Sequence, residues 1–154
     1  MVKGKKTDFA EANCGIARSL KIIGDWWSIL IVRDAFKGNA RFGEFQKSLG
    51  LAKNILSTRL KKLVAEDILT VEQAEDSPSV NRYVLTQKGQ NLYVVLSALW
   101  QWGEENCFDG DELKWSLVDK KQGEAIPKLN LVAKDGRVLG PGDFRIAMKN
   151  EAEL

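Results

Sequence analysis

The 154-residue sequence contains no histidine and only two cysteines, Cys14 and Cys107. The lack of histidine excludes catalytic triads that use an imidazole base and zinc sites of the HExxH type. Two cysteines are too few for a disulfide framework or for a four-cysteine zinc site. The longest wholly aliphatic run, residues 29–32, is far shorter than the roughly 20 apolar residues of a membrane-spanning helix. We therefore expect a cytoplasmic protein that is not an enzyme, binds no metal or cofactor, and does not enter a membrane.

Charge is distributed unevenly along the chain, although the net charge is only +2. Residues 1–62 carry thirteen Lys/Arg and five Asp/Glu, whereas residues 66–119 carry three Lys/Arg and eleven Asp/Glu. This division is typical of a protein that presents a basic surface to a polyanion such as nucleic acid. Uneven surface charge on an ordinary domain explains the numbers equally well, so the charge needs a motif to give it meaning.

The spacing of apolar residues predicts four helices within the first 66 residues. The second follows Asp25, a residue type that caps helices, and it is apolar on nearly all sides, so we place it in the middle of the fold. The third and fourth are amphipathic and are separated by a turn at Gly50–Leu51, and the fourth runs from about Lys53 to Glu66. Two such helices joined by a short turn are typical of a helix-turn-helix.

The fourth predicted helix has a polar face without negative charge. Its leucines form a core-facing stripe, and no acidic residue lies between Lys53 and Ala65. A solvated helix face normally mixes both signs of charge. This face is therefore suited to DNA phosphates and to base edges in the major groove.

Two strand-like stretches and a longer helix follow. The stretches Leu69–Glu72 and Arg82–Leu85 flank a loop whose tip we place at Ser77–Ser79, and a single helix is predicted from Thr86, its N-cap, to Asn106. Helix, turn, helix and hairpin, in this order, predict a winged helix-turn-helix.

The segment from residue 109 onward has a different character. The stretches WSLV, KLNLVA, RVL and FRIAM alternate with turn-forming residues and predict a small β appendage with a hairpin turn at Asp135–Gly136. The expected fold is mainly α with small β. It comprises a winged helix-turn-helix domain at 1–108, with a long C-terminal dimerisation helix, and a β-rich extension at 109–154.

Several motifs together resemble one known family, the HxlR-type bacterial transcriptional regulators, which are relatives of the MarR group. The resemblance rests, in order, on C-x-I-x-x-x-L-x-x-I-G at 14–24, W-S-I-L-I-V-R-D-A-F at 27–36, R-F-G-E-F at 41–45, N-I-L-S-T-R-L-K-K-L at 54–63 and R-Y-x-L-T-x-K-G at 82–89. It implies a homodimer that binds an inverted repeat of double-stranded DNA, with subunits joined through the N-terminal and long C-terminal helices. The interface residues would be Ile16, Leu20, Leu92, Val95, Leu96, Leu99 and Trp102.

Three positions depart from the family pattern. Gly15 stands where proline is common, Trp26 replaces a usual lysine or arginine, and Ala52 occupies the cap of the recognition helix, where serine is frequent. Loss of the capping hydroxyl weakens the start of a helix by about 1 kcal/mol.

The chemistry of the fourth helix predicts two groups of DNA contacts. Side chains that can reach base edges or a thymine methyl in the major groove are Asn54, Ile55, Ser57, Thr58 and Lys61. Cations placed for phosphates, on this helix, the preceding one and the wing, are Arg41, Lys47, Lys53, Arg59, Lys62 and Arg82. Two alternatives stay open: Arg59 pairs with an acid of its own subunit, and Arg82 closes the hairpin against a neighbouring carboxylate.

Cys14 is a candidate redox sensor, because some relatives switch on oxidation of a cysteine at this position and a helix N-terminus favours a thiolate. The alternative is a small buried hydrophobe, and a disulfide to Cys107 of a partner chain is a further option. The aromatic residues Trp26, Trp27, Phe42 and Phe45 are core or interface residues, or they line a pocket for a small-molecule effector.

The leading hypothesis is a DNA-binding regulator that acts as a repressor. The alternative within the same fold is a redox-responsive or small-molecule sensor, in which Cys14 or an aromatic pocket controls DNA release. A third hypothesis is a protein–protein module with little affinity for nucleic acid.

Overall fold

The structure is a computed structural model that describes residues 9–110 and 112–148. Residues 1–8 of the first predicted domain and residues 111 and 149–154 of the second lie outside these ranges. The chain forms two compact units, Met1–Leu96 and Ser97–Leu154. The domain boundary at residue 108 stays a prediction. In the part of the chain that the structure describes, no helix is both long and apolar enough to cross a bilayer.

The first two helices are α1 (Gly15–Ile23) and α2 (Trp26–Phe36). Asp25 caps α2, as predicted, because its side chain accepts a hydrogen bond from the backbone N–H of Ser28. Helix α1 buries none of its residues, whereas α2 contributes Ile31 and Val32 to the core. The apolar character of α2 thus reflects its central position.

Helices α3 (Phe42–Leu49) and α4 (Lys53–Ala65) form the predicted helix-turn-helix. Gly50 ends α3 in the left-handed region, at φ 64°, which favours glycine because it lacks a Cβ. Ala52 is the N-cap of α4 and supplies no capping side chain, as the sequence indicates.

The core of the first unit lies where α2, α3, α4 and the start of the hairpin meet. Phe45 of α3 is fully buried, which confirms its place in the core. The other buried apolar residues packed with it are Ile31, Val32, Leu51, Leu56, Leu60, Leu63, Ile68 and Leu69.

The hairpin consists of β1 (Leu69–Ala74) and β2 (Ser77–Leu85), antiparallel with Leu69 opposite Leu85. The predicted position of its tip is wrong, because residues 77–79 belong to β2 and the turn lies at Glu75–Asp76. Ser77 pairs with Ala74 and Asn81 with Gln73, so that two residues are left for the turn, a common hairpin connection, while residues 78–80 have no partner on β1. The register shifts between Gln73 and Ala74. The wing is therefore longer than predicted, and its tip is acidic.

The predicted helix from Thr86 to Asn106 is divided into α5 (Gln87–Gln90) and α6 (Tyr93–Asn106). Thr86 caps α5, as predicted, by accepting a hydrogen bond from the N–H of Gly89. At the break, the N–H of Leu92 bonds to the carbonyl of Gly89, three residues back, instead of four. Periodicity does not reveal this tightening, because Leu92 keeps its place on the apolar side.

The second unit contains less β structure than predicted. Strands β3 (Leu131–Val132) and β4 (Val138–Leu139) form the expected hairpin around Asp135–Gly136, and Gly136 has a φ of 86°. WSLV and FRIAM do not form strands; a single bridge joins Val118 and Ala125. Within the described residues, WSLV and FRIAM have no neighbouring strand with which to form hydrogen bonds. An alternation of apolar stretches with turn-forming residues does not by itself provide such a partner.

Candidate nucleic-acid interface

One face of α4 presents polar side chains to solvent. Asn54, Thr58 and Lys61, at i, i+4 and i+7, are all exposed, as is Ile55 near the helix start. Ser57 is half-buried. The Thr58 hydroxyl donates a hydrogen bond to the Asn54 carbonyl at 2.8 Å, so its oxygen keeps acceptor capacity. The predicted base-contacting residues thus share an accessible face that carries no acid.

Two other cations of α4 contact an acid at the start of α2. Arg59 Nε lies 3.2 Å from Asp25 Oδ1, and Lys62 Nζ lies 3.3 Å from Asp25 Oδ2. The Arg59 contact is electrostatic, since its Nε lacks a hydrogen bond within the described residues. The alternative in which Arg59 pairs with an acid of its own subunit is therefore confirmed.

Asp25 thus has two structural tasks, capping α2 and contacting α4. Burial alone would raise the pKa of its carboxyl group, but hydrogen bonds from Ser28 and the nearby cations Arg59 and Lys62 outweigh burial and lower this pKa. The Ser28 hydroxyl donates to Oδ2 at 2.7 Å. The sequence analysis recognised the cap and missed the second task, because 37 residues separate Asp25 from Lys62.

Three lysines have no acidic partner: Lys47 and Lys53, predicted to bind phosphates, and Lys61, predicted to reach base edges. Lys47 on α3 and Lys53 and Lys61 on α4 are exposed, and none makes an ion pair with any residue that the structure describes. Their ammonium groups are accessible to an external anion.

Arg41, immediately before α3, is held by the wing. Its Nη2 donates to both carboxylate oxygens of Asp76 in the wing turn. This hydrogen-bonded pair lowers the pKa of Asp76 and raises that of Arg41. The backbone of Arg41 also bridges to that of Arg82 on β2. Arg41 was predicted to bind a DNA phosphate. Its guanidinium instead donates hydrogen bonds to the Asp76 carboxylate, an anion with similar oxygen acceptors.

Arg82 lies opposite Glu72 in the hairpin register. No ion pair joins the two side chains, both of which the structure describes. The alternative in which Arg82 closes the hairpin against a carboxylate therefore gains no support from this neighbour.

The residues predicted at the dimer interface fall into two groups. Leu92 and Leu96 are half-buried and pack against the core of their own chain. The others are exposed: Ile16 (69% of its surface accessible), Leu20, Val95, Leu99 and Trp102 (59%). Exposed apolar residues of this size on α1 and on α6 are typical of a surface that binds another protein.

The two cysteines are free and exposed. Cys14 is the N-cap of α1 and makes no capping hydrogen bond with its side chain. The alternative in which Cys14 is a small buried hydrophobe is wrong, because the helix that it precedes buries none of its residues.

The aromatic residues suggested for an effector pocket do not enclose one. Phe45 is buried in the core, and Trp26, which meets Trp27 edge-on, is largely exposed. An open cleft of about 550 Å³ lies instead between the end of α2, β2 and α5. Rings and polar groups both line it, including Phe36, Tyr83, Tyr93, Asn39, Arg82 and Gln90.

A sequence profile described as the HxlR-like helix-turn-helix matches residues 22–111, more than half of the chain. The match spans both helices of the helix-turn-helix, the hairpin and α6. The fold and the family match together define a winged helix-turn-helix transcriptional regulator of the MarR-related type. Within that class, the chain belongs to the HxlR-like helix-turn-helix family.

Individual relatives agree with this assignment. The crystal structure of PA1607, a candidate transcription factor, is 49% identical and covers 92% of this chain and 99% of that one, with a TM-score of 0.87. The uncharacterized HTH-type transcriptional regulator Rv3095 of Mycobacterium tuberculosis is 36% identical over 90 residues, 58% of this chain. The match spans 57% of that relative's length. The redox regulator HypR in its reduced form is 28% identical over 61% of this chain and 94% of that one, with a TM-score of 0.54.

Proposed function

We propose that the protein is a homodimeric repressor that binds an inverted-repeat operator in the cytoplasm through α4. The observation that carries the proposal is the accessible face of α4 formed by Asn54, Thr58 and Lys61. No residue of this helix is acidic. A helix of this kind fits the major groove, and its outward side chains reach base edges. Membership of a family of transcriptional regulators supports the same function.

The side chains divide into different roles. Asn54 is suited to adenine, Lys61 to guanine, Ser57 and Thr58 to several bases, and Ile55 to a thymine methyl. Exposed lysines without acidic partners, Lys47 and Lys53, bind phosphates. Arg59 and Lys62 contribute less to phosphate binding than their charge suggests, because Asp25 already neutralises part of it.

The second subunit is proposed to cover the exposed apolar side chains of α1 and α6, namely Ile16, Leu20, Val95, Leu99 and Trp102. Two copies related by a two-fold axis place two α4 helices on one face of the duplex. Half-sites with centres about one helical turn, roughly 34–36 Å, apart would suit such a dimer.

Selection of bound duplexes from a random DNA pool tests this proposal. We expect a palindromic motif, and we expect Asn54→Ala to change the base preference at one position per half-site at a cost of about 1–3 kcal/mol. Lys53→Ala is the matched control, because it should weaken binding to all sequences and reduce the salt dependence. A pool that yields no motif, or equal effects of both variants on specific and random DNA, would contradict the proposal.

A sensor function for Cys14 is the second candidate. Its thiol is exposed at the N-cap of α1, and one relative is named a redox regulator. We expect diamide or quinone to change the mobility of the protein on non-reducing gels and to weaken operator binding, and Cys14→Ser to abolish both effects. Unchanged mobility and binding after oxidation would remove this candidate.

A small-molecule effector is the third possibility for control of DNA release. The cleft lined by Phe36, Tyr83 and Tyr93 offers apolar rings beside the polar groups of Arg82 and Asn39. Titration of aromatic carboxylates against operator binding tests it, with Tyr93→Ala as the variant expected to lose any response.

A further inference from the structure

We propose that Asp76, in the acidic turn of the wing, occupies the Arg41 guanidinium in place of a DNA phosphate. This carboxylate thereby limits the number of phosphates that the protein engages. The inference rests on the proposed DNA-binding function and concerns the strength of its sequence-independent part.

The position of Arg41 makes it a natural phosphate ligand. It is the N-cap residue of α3, the first helix of the helix-turn-helix, and in proteins of this type that helix crosses the DNA backbone. Its backbone N–H donates to Glu44 Oε2 at 2.8 Å. On its other side, the Ala40 carbonyl accepts a hydrogen bond from the Tyr83 N–H at 2.7 Å. The backbone at this point is thus fixed to both α3 and β2, which gives the guanidinium a defined reach.

The guanidinium is directed to the wing turn and not to solvent alone. Both oxygens of Asp76 accept from the same Arg41 nitrogen, although the two residues are 35 positions apart. A carboxylate and a phosphate present similar oxygens to arginine, so Asp76 competes with a phosphate for the guanidinium and neutralises part of its charge. Glu75 adds a second negative charge to the turn.

The pair is suited to reversible opening. The side chains of Arg41 and Asp76 keep 38% and 69% of their surfaces accessible, so solvent screens the pair and its strength is small. Removal of the carboxylate should therefore free the arginine without loss of the fold. Asparagine is well tolerated in turns, which makes Asp76→Asn the suitable variant.

The test measures affinity for a random-sequence duplex and for the selected operator as a function of salt. At 0.1 M salt we expect Asp76→Asn to raise the affinity for both by about two- to fivefold, because the gain cannot exceed the strength of the exposed pair that is lost. The additional phosphate contact releases about 0.9 of a counterion. The slope of log affinity against log salt should steepen by about 0.9. Thermal unfolding should be nearly unchanged.

Two comparisons separate the release of Arg41 from a general change of charge. Glu75→Gln removes the same charge from the neighbouring turn residue, which makes no ion pair with the described residues, and should leave the salt slope unchanged. Arg41→Ala should have little effect alone and should abolish the gain in the Asp76→Asn background. Equal gains from Asp76→Asn and Glu75→Gln, or a gain that persists without Arg41, would overturn the inference.

Failure of this inference is distinguishable from failure of the proposed function. If the wild-type protein binds the operator and Asp76→Asn leaves affinity and slope unchanged, only the role of Asp76 is wrong. If neither the wild-type protein nor the variant binds any duplex at 50 mM salt, DNA binding itself is refuted, and the role of Asp76 with it.

Discussion

The two compact units of the chain differ in how far their apolar side chains are buried. Among the residues of the first unit that the structure describes, ten apolar ones are buried, and three of them, Leu56, Leu60 and Leu63, come from α4. In the second unit, none of the described residues is buried, and Trp115 and Ile146 keep 76% and 93% of their surfaces accessible. The second unit relies on polar contacts, such as those of Gln101 with the backbone of Pro127 and Leu129.

This difference follows from what each segment can enclose. Helices α2, α3 and α4 bring apolar faces together from three directions, so that one core excludes water. The second unit offers one partial helix and short paired segments, and a unit of about 60 residues buries only a modest share of its surface. The fold of the first unit is therefore stabilised by its own hydrophobic core, whereas the second unit buries none of its described apolar residues.

The largest expected effect comes from a substitution that creates a cavity in the core of the first unit. Leu60→Ala should lower the free energy of unfolding by about 2–5 kcal/mol, because Leu60 is fully buried and its neighbours cannot close the space. Urea denaturation measures the change. Leu131→Ala in the second unit is the matched control and should cost less than about 0.5 kcal/mol, since Leu131 is mostly exposed. Similar losses for both variants would show that the second unit is covered in solution and would break the comparison.

A smaller effect is expected at the proposed dimer interface, where α6 leaves Leu99 half-exposed. Leu99→Ala should weaken dimerisation about 100-fold, because each of the two copies loses about 1.5 kcal/mol of apolar burial. Sedimentation equilibrium measures the dissociation constant. Val71→Ala, at an equally exposed position on β1, should leave it unchanged. If Leu99→Ala leaves the dimer intact, the exposed face of α6 has another role.

The smallest effect concerns a polar contribution to the first unit. Asp25→Asn keeps a capping side chain but removes the charge that Arg59 and Lys62 contact, so we expect a loss of about 1 kcal/mol at pH 7. The lowered pKa of Asp25 means that its carboxylate stabilises the folded state at neutral pH. This contribution is lost as the pH falls below about 4, through the depressed pKa of the folded protein.

Denaturation from pH 7 to pH 2 measures this dependence. The difference between the wild-type protein and Asp25→Asn should shrink as the pH falls. Glu75→Gln, at an exposed turn position, should follow the wild-type profile. A difference that stays constant down to pH 2 would mean that the charge of Asp25 does not support the fold.

The elements that the sequence predicted correctly depend on neighbours within a few residues. Asp25 and Thr86 cap helices through N–H groups three positions ahead, and Gly136 forms a turn within its own hairpin. The leucine stripe of α4 follows from helical spacing alone. The HxlR resemblance adds the family, which the family match confirms.

The features that the sequence did not predict join distant positions. The pair of Arg41 with Asp76 and the contact of Lys62 with Asp25 span 35 and 37 residues, and the local sequence identifies neither acid as the partner of a distant cation. The turn at Glu75–Asp76 was misplaced because strand pairing, and not residue type, decided where β2 begins. The break between α5 and α6 was missed because it does not interrupt the spacing of apolar residues along the chain.

The order of residues was thus sufficient for the helix-turn-helix, the caps of α2 and α5 and an α4 face without acids, because helical periodicity and capping act over a single turn. Folding decided which cations remain accessible. In the sequence, Arg41, Arg59 and Lys62 look equivalent to the other cations of this region. In the folded chain, the wing brings Asp76 to Arg41, and the start of α2 brings Asp25 to Arg59 and Lys62. No carboxylate of the described residues pairs with Lys53 or Lys61. Electrostatic pairing depends on distance in space, which a linear pattern of charges does not contain.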